Sequence, residues 1–63
     1  MRGFKVFIQA TRTDEKGVLR EEMFSYAVET PDKDEAVSKA RGLFDLERGM
    51  QGWEVASVGM LEL

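Results

Sequence analysis

Cysteine and histidine are both absent from this 63-residue sequence. Without cysteine no disulfide can staple a small fold, and without either residue the usual structural zinc sites are excluded. The same absences remove the common nucleophile–base arrangements, so Ser25, Ser38 and Ser57 have no base to activate them. Asp32-Lys33-Asp34-Glu35 is too short for a calcium loop and lacks its glycine. There is no glycine-rich phosphate loop. No apolar run approaches the roughly 20 residues that a membrane span requires. The start, Met1-Arg2-Gly3-Phe4-Lys5, alternates charge with apolar residues and lacks the continuous apolar core of a signal peptide. These absences lead us to expect no enzyme, no metal, no cofactor and no membrane association. The expected location is the cytoplasm.

A chain of this length makes one domain, residues 1–63, near the lower limit for folding without staples. Its net charge is −3, unevenly spread. Residues 1–20 hold five bases, among them Arg12, Lys16 and Arg20, against two acids. Residues 21–35 hold six acids (Glu21, Glu22, Glu29, Asp32, Asp34 and Glu35) against Lys33 alone. A nucleic-acid binder needs a concentrated basic face to displace counterions, and this balance argues against one. It suits a protein that offers an acidic surface to a basic partner. The same acids also read simply as the solvated faces of a hairpin and a helix start.

Phe4, Val6, Ile8 and Ala10 alternate with Lys5, Gln9 and Thr11, the period-2 pattern of a strand with one buried face. Thr13 to Gly17 reads as a hairpin loop, with Gly17 supplying the positive φ such loops need. A second strand spans roughly Val18 to Glu29, with Phe24, Tyr26 and Val28 on one face. At Arg20-Glu21-Glu22 the pattern predicts either a bulge or an exposed extension of the hairpin. Thr30 to Glu35 is a helix start, capped by Asp32 or by Thr30 ahead of Pro31. Ala36, Val37, Ala40, Leu43 and Phe44 then form one apolar stripe. Gly49 is the expected helix stop. Gly49-Met50-Gln51-Gly52 has the spacing of an RNA backbone clamp but no basic residue, and reads better as a cap and turn. A third strand runs from Trp53 to about Leu61. The expected architecture is α+β: β-β-α-β, a three-stranded sheet with one helix packed on one face. The helical crossover would allow the third strand to lie parallel to a neighbour.

One helix covers one face only, yet apolar residues occupy both. Phe7 opposes Phe4, Val6 and Ile8, and Met23 opposes Phe24 and Tyr26. In the third strand Trp53, Val55, Leu61 and Leu63 alternate with Ala56, Val58 and Met60. Phe7, Met23 and part of the Trp53 strand are therefore expected to form an open patch suited to a partner or a second copy. The alternative is that these side chains are scattered singly or fold over the sheet edge.

The segments "YAVETPDKDEAVSKA" and "GWEVASV" resemble the small podophage proteins that inhibit bacterial RNA polymerase. That resemblance implies the same β-β-α-β order and a polymerase-directed inhibitor. The family carries arginines after its Glu-Val pair, where this chain has Ser57 and Gly59, so no arginine contact carries over. "GWEVASV" is also similar to a family of small bacterial and phage proteins of unknown function, which implies no activity. The resulting expectation is a small non-catalytic protein-binding module, phage or prophage encoded, that inhibits or modulates a host protein with a basic surface. Its binding residues would be Phe7, Met23, Trp53 and the six acids of residues 21–35. A homodimeric accessory module is the second reading. A single-stranded nucleic-acid binder stacking bases on Phe7, Tyr26 or Trp53 is the third.

Overall fold

The computed structural model describes all 63 residues, Met1–Leu63. The chain forms β1 (Arg2–Thr13), β2 (Leu19–Thr30), α1 (Lys33–Arg48), a short 3-10 turn (Gly49–Gln51) and β3 (Glu54–Glu62). This is the expected β-β-α-β order, with an open sheet of strand order β2-β1-β3. Every pairing is antiparallel. β3 does run in the direction of β2, but β1 lies between them, so β3 has no parallel neighbour. The helix returns the chain to the hairpin end, and β3 then takes the free edge of β1.

The hairpin is held by the Asp14 carboxylate. It accepts from the backbone N–H of Lys16 at 2.9 Å and of Val18 at 3.0 Å, and from Arg20 Nε at 3.1 Å. Those donors hold its pKa below the ordinary carboxylate value, the Val18 N–H most of all. Gly17 takes the expected left-handed conformation at φ 80°. The β1–β2 register is unbroken from Arg2↔Thr30 to Thr13↔Leu19. Arg20 to Glu22 are therefore a regular, exposed extension of the hairpin. The bulge lies instead in β3, opposite the Gln9/Ala10 step of β1.

Asp32 caps the helix by accepting from the Glu35 N–H at 2.9 Å. The buried Thr30 hydroxyl donates to the Asp32 carbonyl at 2.7 Å and fixes the entry to that cap. Gly49, the expected stop, is right-handed at φ −58° and continues into the 3-10 turn. The left-handed residue that turns the chain into β3 is Gly52, at φ 78°.

The core is one layer deep. Phe4, Val6, Ile8 and Ala10 from β1 and Val28 from β2 meet Ala36, Ala40 and Phe44 from the helix. Only Phe4, Phe44, Ile8 and Val6 are large and fully buried, each contributing about 1.5–3 kcal/mol of apolar burial. The molecule is elongated, 44 × 18 × 14 Å, with a radius of gyration of 12.6 Å. A compact chain of this length would give about 10.6 Å. An α-helix is about 10–12 Å across and strands lie about 4.8 Å apart, so one helix shelters two strands well and a third poorly. Here α1 lies over β2 and partly over β1, and barely reaches β3.

Candidate interaction surface

The sheet face away from the helix carries Lys5, Phe7, Gln9 and Thr11 from β1. Glu21, Met23, Ser25, Ala27 and Glu29 flank them on β2, and Ser57, Gly59 and Leu61 on β3. Phe7 is half-buried and sits between Ser25 and Gly59, two small neighbours. The Lys5 ammonium is 5.6 Å from the ring centroid. Met23 and Leu61 are well exposed and stand on opposite strands, diagonally on either side of Phe7. Ser57 donates to the Gln9 side-chain oxygen at 3.0 Å across this face. The open face thus sets a diagonal of Met23, Phe7 and Leu61 among small and polar residues.

Trp53 is not on that face. Its indole packs edge-to-face on Phe24, with centroids 5.3 Å apart, and Phe24 in turn packs on Phe44 at 5.4 Å. The Arg12 guanidinium lies over the indole, 4.9 Å from its centroid, and Arg48 lies over Phe24 at 4.9 Å. The displacement follows from the bulge. Ala10 pairs with Val55 while Gln9 pairs with Ser57, so Ala56 is the extra residue and the alternation of β3 reverses there. Trp53 and Val55 consequently join Val58 and Met60 on the helix side, while Leu61 goes to the other.

This arrangement also relieves a conflict in the hairpin, where Arg12 and Arg20 are direct cross-strand partners of like charge. Asp14 holds Arg20, and Trp53 takes Arg12 by a cation–π contact. Two of the three aromatic platforms considered for base stacking are therefore engaged. Trp53 lies beneath Arg12. Tyr26 is half-buried on the helix side, and its hydroxyl donates to Glu47 at 3.4 Å. Burial and then the Glu47 charge push the Tyr26 phenol above its ordinary pKa.

The six acids do not form one surface. Glu21 and Glu22 pair with Thr11 and Ala10 near the hairpin, whereas Glu29 pairs with Gly3 at the opposite end. Eight residue steps along the strand from Glu21 to Glu29 correspond to about 26 Å. Asp32, Asp34 and Glu35 stand with Glu29 at the helix start, where Asp34 and Glu35 face the positive end of the helix dipole. A run contiguous in sequence is divided because a strand extends it.

Part of the Trp53 strand was expected in the open patch, and the structure exposes that strand, β3, on both of its faces. Val58 on its helix side is 39 % exposed and Leu61 on its other side 56 % exposed. Its outer edge pairs with nothing. The main-chain groups on that edge follow from the ladder. The Leu63 N–H donates to the Gly3 carbonyl at 2.8 Å, so Leu63, Leu61, Gly59 and Ser57 bond inward to β1. The N–H and C=O groups of Val58, Met60 and Glu62 face outward. From Val55 to Leu61 the strand carries no charge and no proline, the devices that guard free edges. The β2 edge does carry them, with Arg20, Glu21, Glu22 and Glu29. At the far end of β3 Glu62 is held by Arg2 in a two-pronged ion pair with one arm of 2.7 Å, which lowers the Glu62 pKa. The uncharged run and the narrow helix stripe were the signals in the sequence that could have identified this strand.

The larger of two surface hollows lies beside the hairpin among Arg12, Asp14, Lys16, Arg20 and Gln51, and no apolar side chain lines it. Small-molecule sites are mostly apolar, and this hollow lacks that character. No group of three or more acidic side chains is placed to hold a metal ion, and no helix is long and apolar enough to cross a membrane. No protein-family model, curated protein or solved structure matches the chain.

Proposed function

We propose that this chain is a small non-catalytic protein-binding module that docks on a larger host protein through β3 and so inhibits or modulates it. The observation that carries the reading is the state of β3: uncharged from Val55 to Leu61, exposed on both faces and unpaired along its outer edge. Strand addition to such an edge supplies main-chain hydrogen bonds for affinity and alternate side chains for specificity. Trp53 acts in this reading as the packed root of the strand rather than as a contact. Glu29, Asp32, Asp34 and Glu35 make the helix-start end acidic and suit a basic surface on the host. The β-β-α-β order and the resemblance to podophage polymerase inhibitors support a phage or prophage origin.

The test is a tagged pull-down from bacterial lysate, comparing the native chain with Val58→Pro. The Val58 N–H faces outward, so proline there removes an edge donor while sparing the β1–β3 ladder. A stoichiometric host band retained by the native chain and lost by Val58→Pro, with circular dichroism unchanged, supports the reading. No band, or equal capture by both proteins, refutes it.

A further inference from the structure

We propose that the hollow beside the hairpin binds a small, hydrophilic phosphate monoester, held by Arg12, Lys16 and Arg20. The proposal depends neither on β3 nor on a host protein.

Two strands and a turn bring these three cations together. Arg12 and Arg20 are direct cross-strand partners, and Lys16 stands in the turn that joins their strands. Like charges placed opposite one another on a sheet are destabilising. One carboxylate answers the pair, and both of its oxygens are already engaged. Asp14 Oδ1 accepts from the main-chain N–H groups of Lys16 and Val18, and Oδ2 accepts from Arg20 Nε. Arg20 keeps both terminal nitrogens unbonded, and the Lys16 ammonium has no partner.

Arg12 is the most poorly compensated of the three. Its guanidinium lies over the Trp53 ring at 4.9 Å, and its Nε is closed off from solvent with no acceptor. Its one hydrogen bond, from Nη1 to the Gln51 carbonyl, is 3.4 Å long. Glu54 lines an adjoining hollow with Arg12 but forms no ion pair with it. A cation that has lost part of its hydration and gained no counter-charge attracts an anion more strongly than a fully solvated one.

Shape and lining choose the ligand. The hollow measures about 440 Å³ and has no apolar side chain in its lining. Small-molecule sites span about 300–1,000 Å³, so this one has room for more than a bare oxyanion. Recognition within it has to come from charge and hydrogen bonds. A guanidinium fork matches the oxygens of a phosphate, and an ammonium adds a point charge. Glu15 is the one uncommitted acid of the lining, and it disfavours negative charge throughout the ligand. With the Gln51 amide it suits hydroxyl groups on the rest of the molecule.

Amide-resolved NMR titration tests the site, with three separate additions: glycerol 3-phosphate, inorganic phosphate, and sodium chloride at matched ionic strength. Glycerol 3-phosphate is expected to shift the amides of Lys16, Gly17, Arg20 and Gln51. The Trp53 indole N–H, which donates to the Gln51 side chain at 3.2 Å, should move with them. The helix start at Asp34 should not. Arg12→Gln should weaken binding about tenfold. Lys16→Gln should weaken it about threefold, and because that ammonium bonds nothing in the fold, the variant keeps the hairpin intact. Shifts reproduced by sodium chloride, no shift at millimolar ester, or an affinity unchanged by both substitutions would overturn the site. Inorganic phosphate binding as tightly as glycerol 3-phosphate would overturn the assignment to an ester.

Discussion

Phe44 is the one large side chain that the helix buries fully in the core, because Ala36 and Ala40 fill its other buried positions and Leu43 is only partly buried. It is 1 % exposed and packs edge-to-face on Phe24. Phe44→Leu removes that aromatic pairing, worth about 0.5–1.5 kcal/mol beyond area, and leaves part of the ring volume empty. The combined cost is about 1–2 kcal/mol. Phe44→Ala costs about 3–5 kcal/mol. A domain of 63 residues has about 3–9 kcal/mol in total at ordinary per-residue values. The leucine variant should therefore fold with reduced stability, and the alanine variant should sit at or beyond the edge of folding. Urea denaturation followed by circular dichroism and Trp53 fluorescence measures both. With a slope near 1 kcal/mol per molar urea, Phe44→Leu should lower the midpoint by about 1–2 M. Leu46, two residues on and 82 % exposed, is the control. Leu46→Ala should change stability by less than about 0.5 kcal/mol. An unchanged midpoint for Phe44→Leu, or a Leu46→Ala cost as large, would refute a core that depends on this one helix side chain.

Asp14 has a folded-state pKa below its ordinary value, so its stabilisation is present above the unfolded pKa and is lost as pH falls through the folded one. Thermal midpoints from pH 6 to pH 2 should therefore decline in the acid range, and Asp14→Asn should flatten part of that decline; parallel curves would be inconsistent with the turn described. Tyr26 is raised, so its contribution is intact below the ordinary phenol pKa and fades as pH climbs toward the folded value. Ultraviolet titration of this single tyrosine should run late, and Glu47→Gln should bring it earlier. Gly49 is right-handed and Gly52 left-handed. Gly49→Ala should be neutral or stabilising by up to about 1 kcal/mol, whereas Gly52→Ala should cost about 1–2 kcal/mol. Equal effects would mean that the helix ends elsewhere.

Sequence by itself determined the elements, because their signals are local. Alternation in β1, the Asp14 and Gly17 chemistry of the hairpin, the Asp32 cap and the Ala36–Phe44 stripe each act within a few residues. Together they specify β-β-α-β and the buried face of β1. Three features were decided only by tertiary structure. The bulge at Ala56 exists because β3 must match a β1 ladder more than 40 residues away in sequence, and it carries Trp53 from the expected open face to the helix side. The acidic run is divided because β2 is extended and places Glu21 and Glu29 at opposite ends. The exposure of β3 depends on which two strands a narrow helix covers, and that choice is made by the packing of Ala36, Ala40 and Phe44 over β2 and β1. Local propensity shapes an element, but what it faces is set by partners that the chain meets only once it has folded.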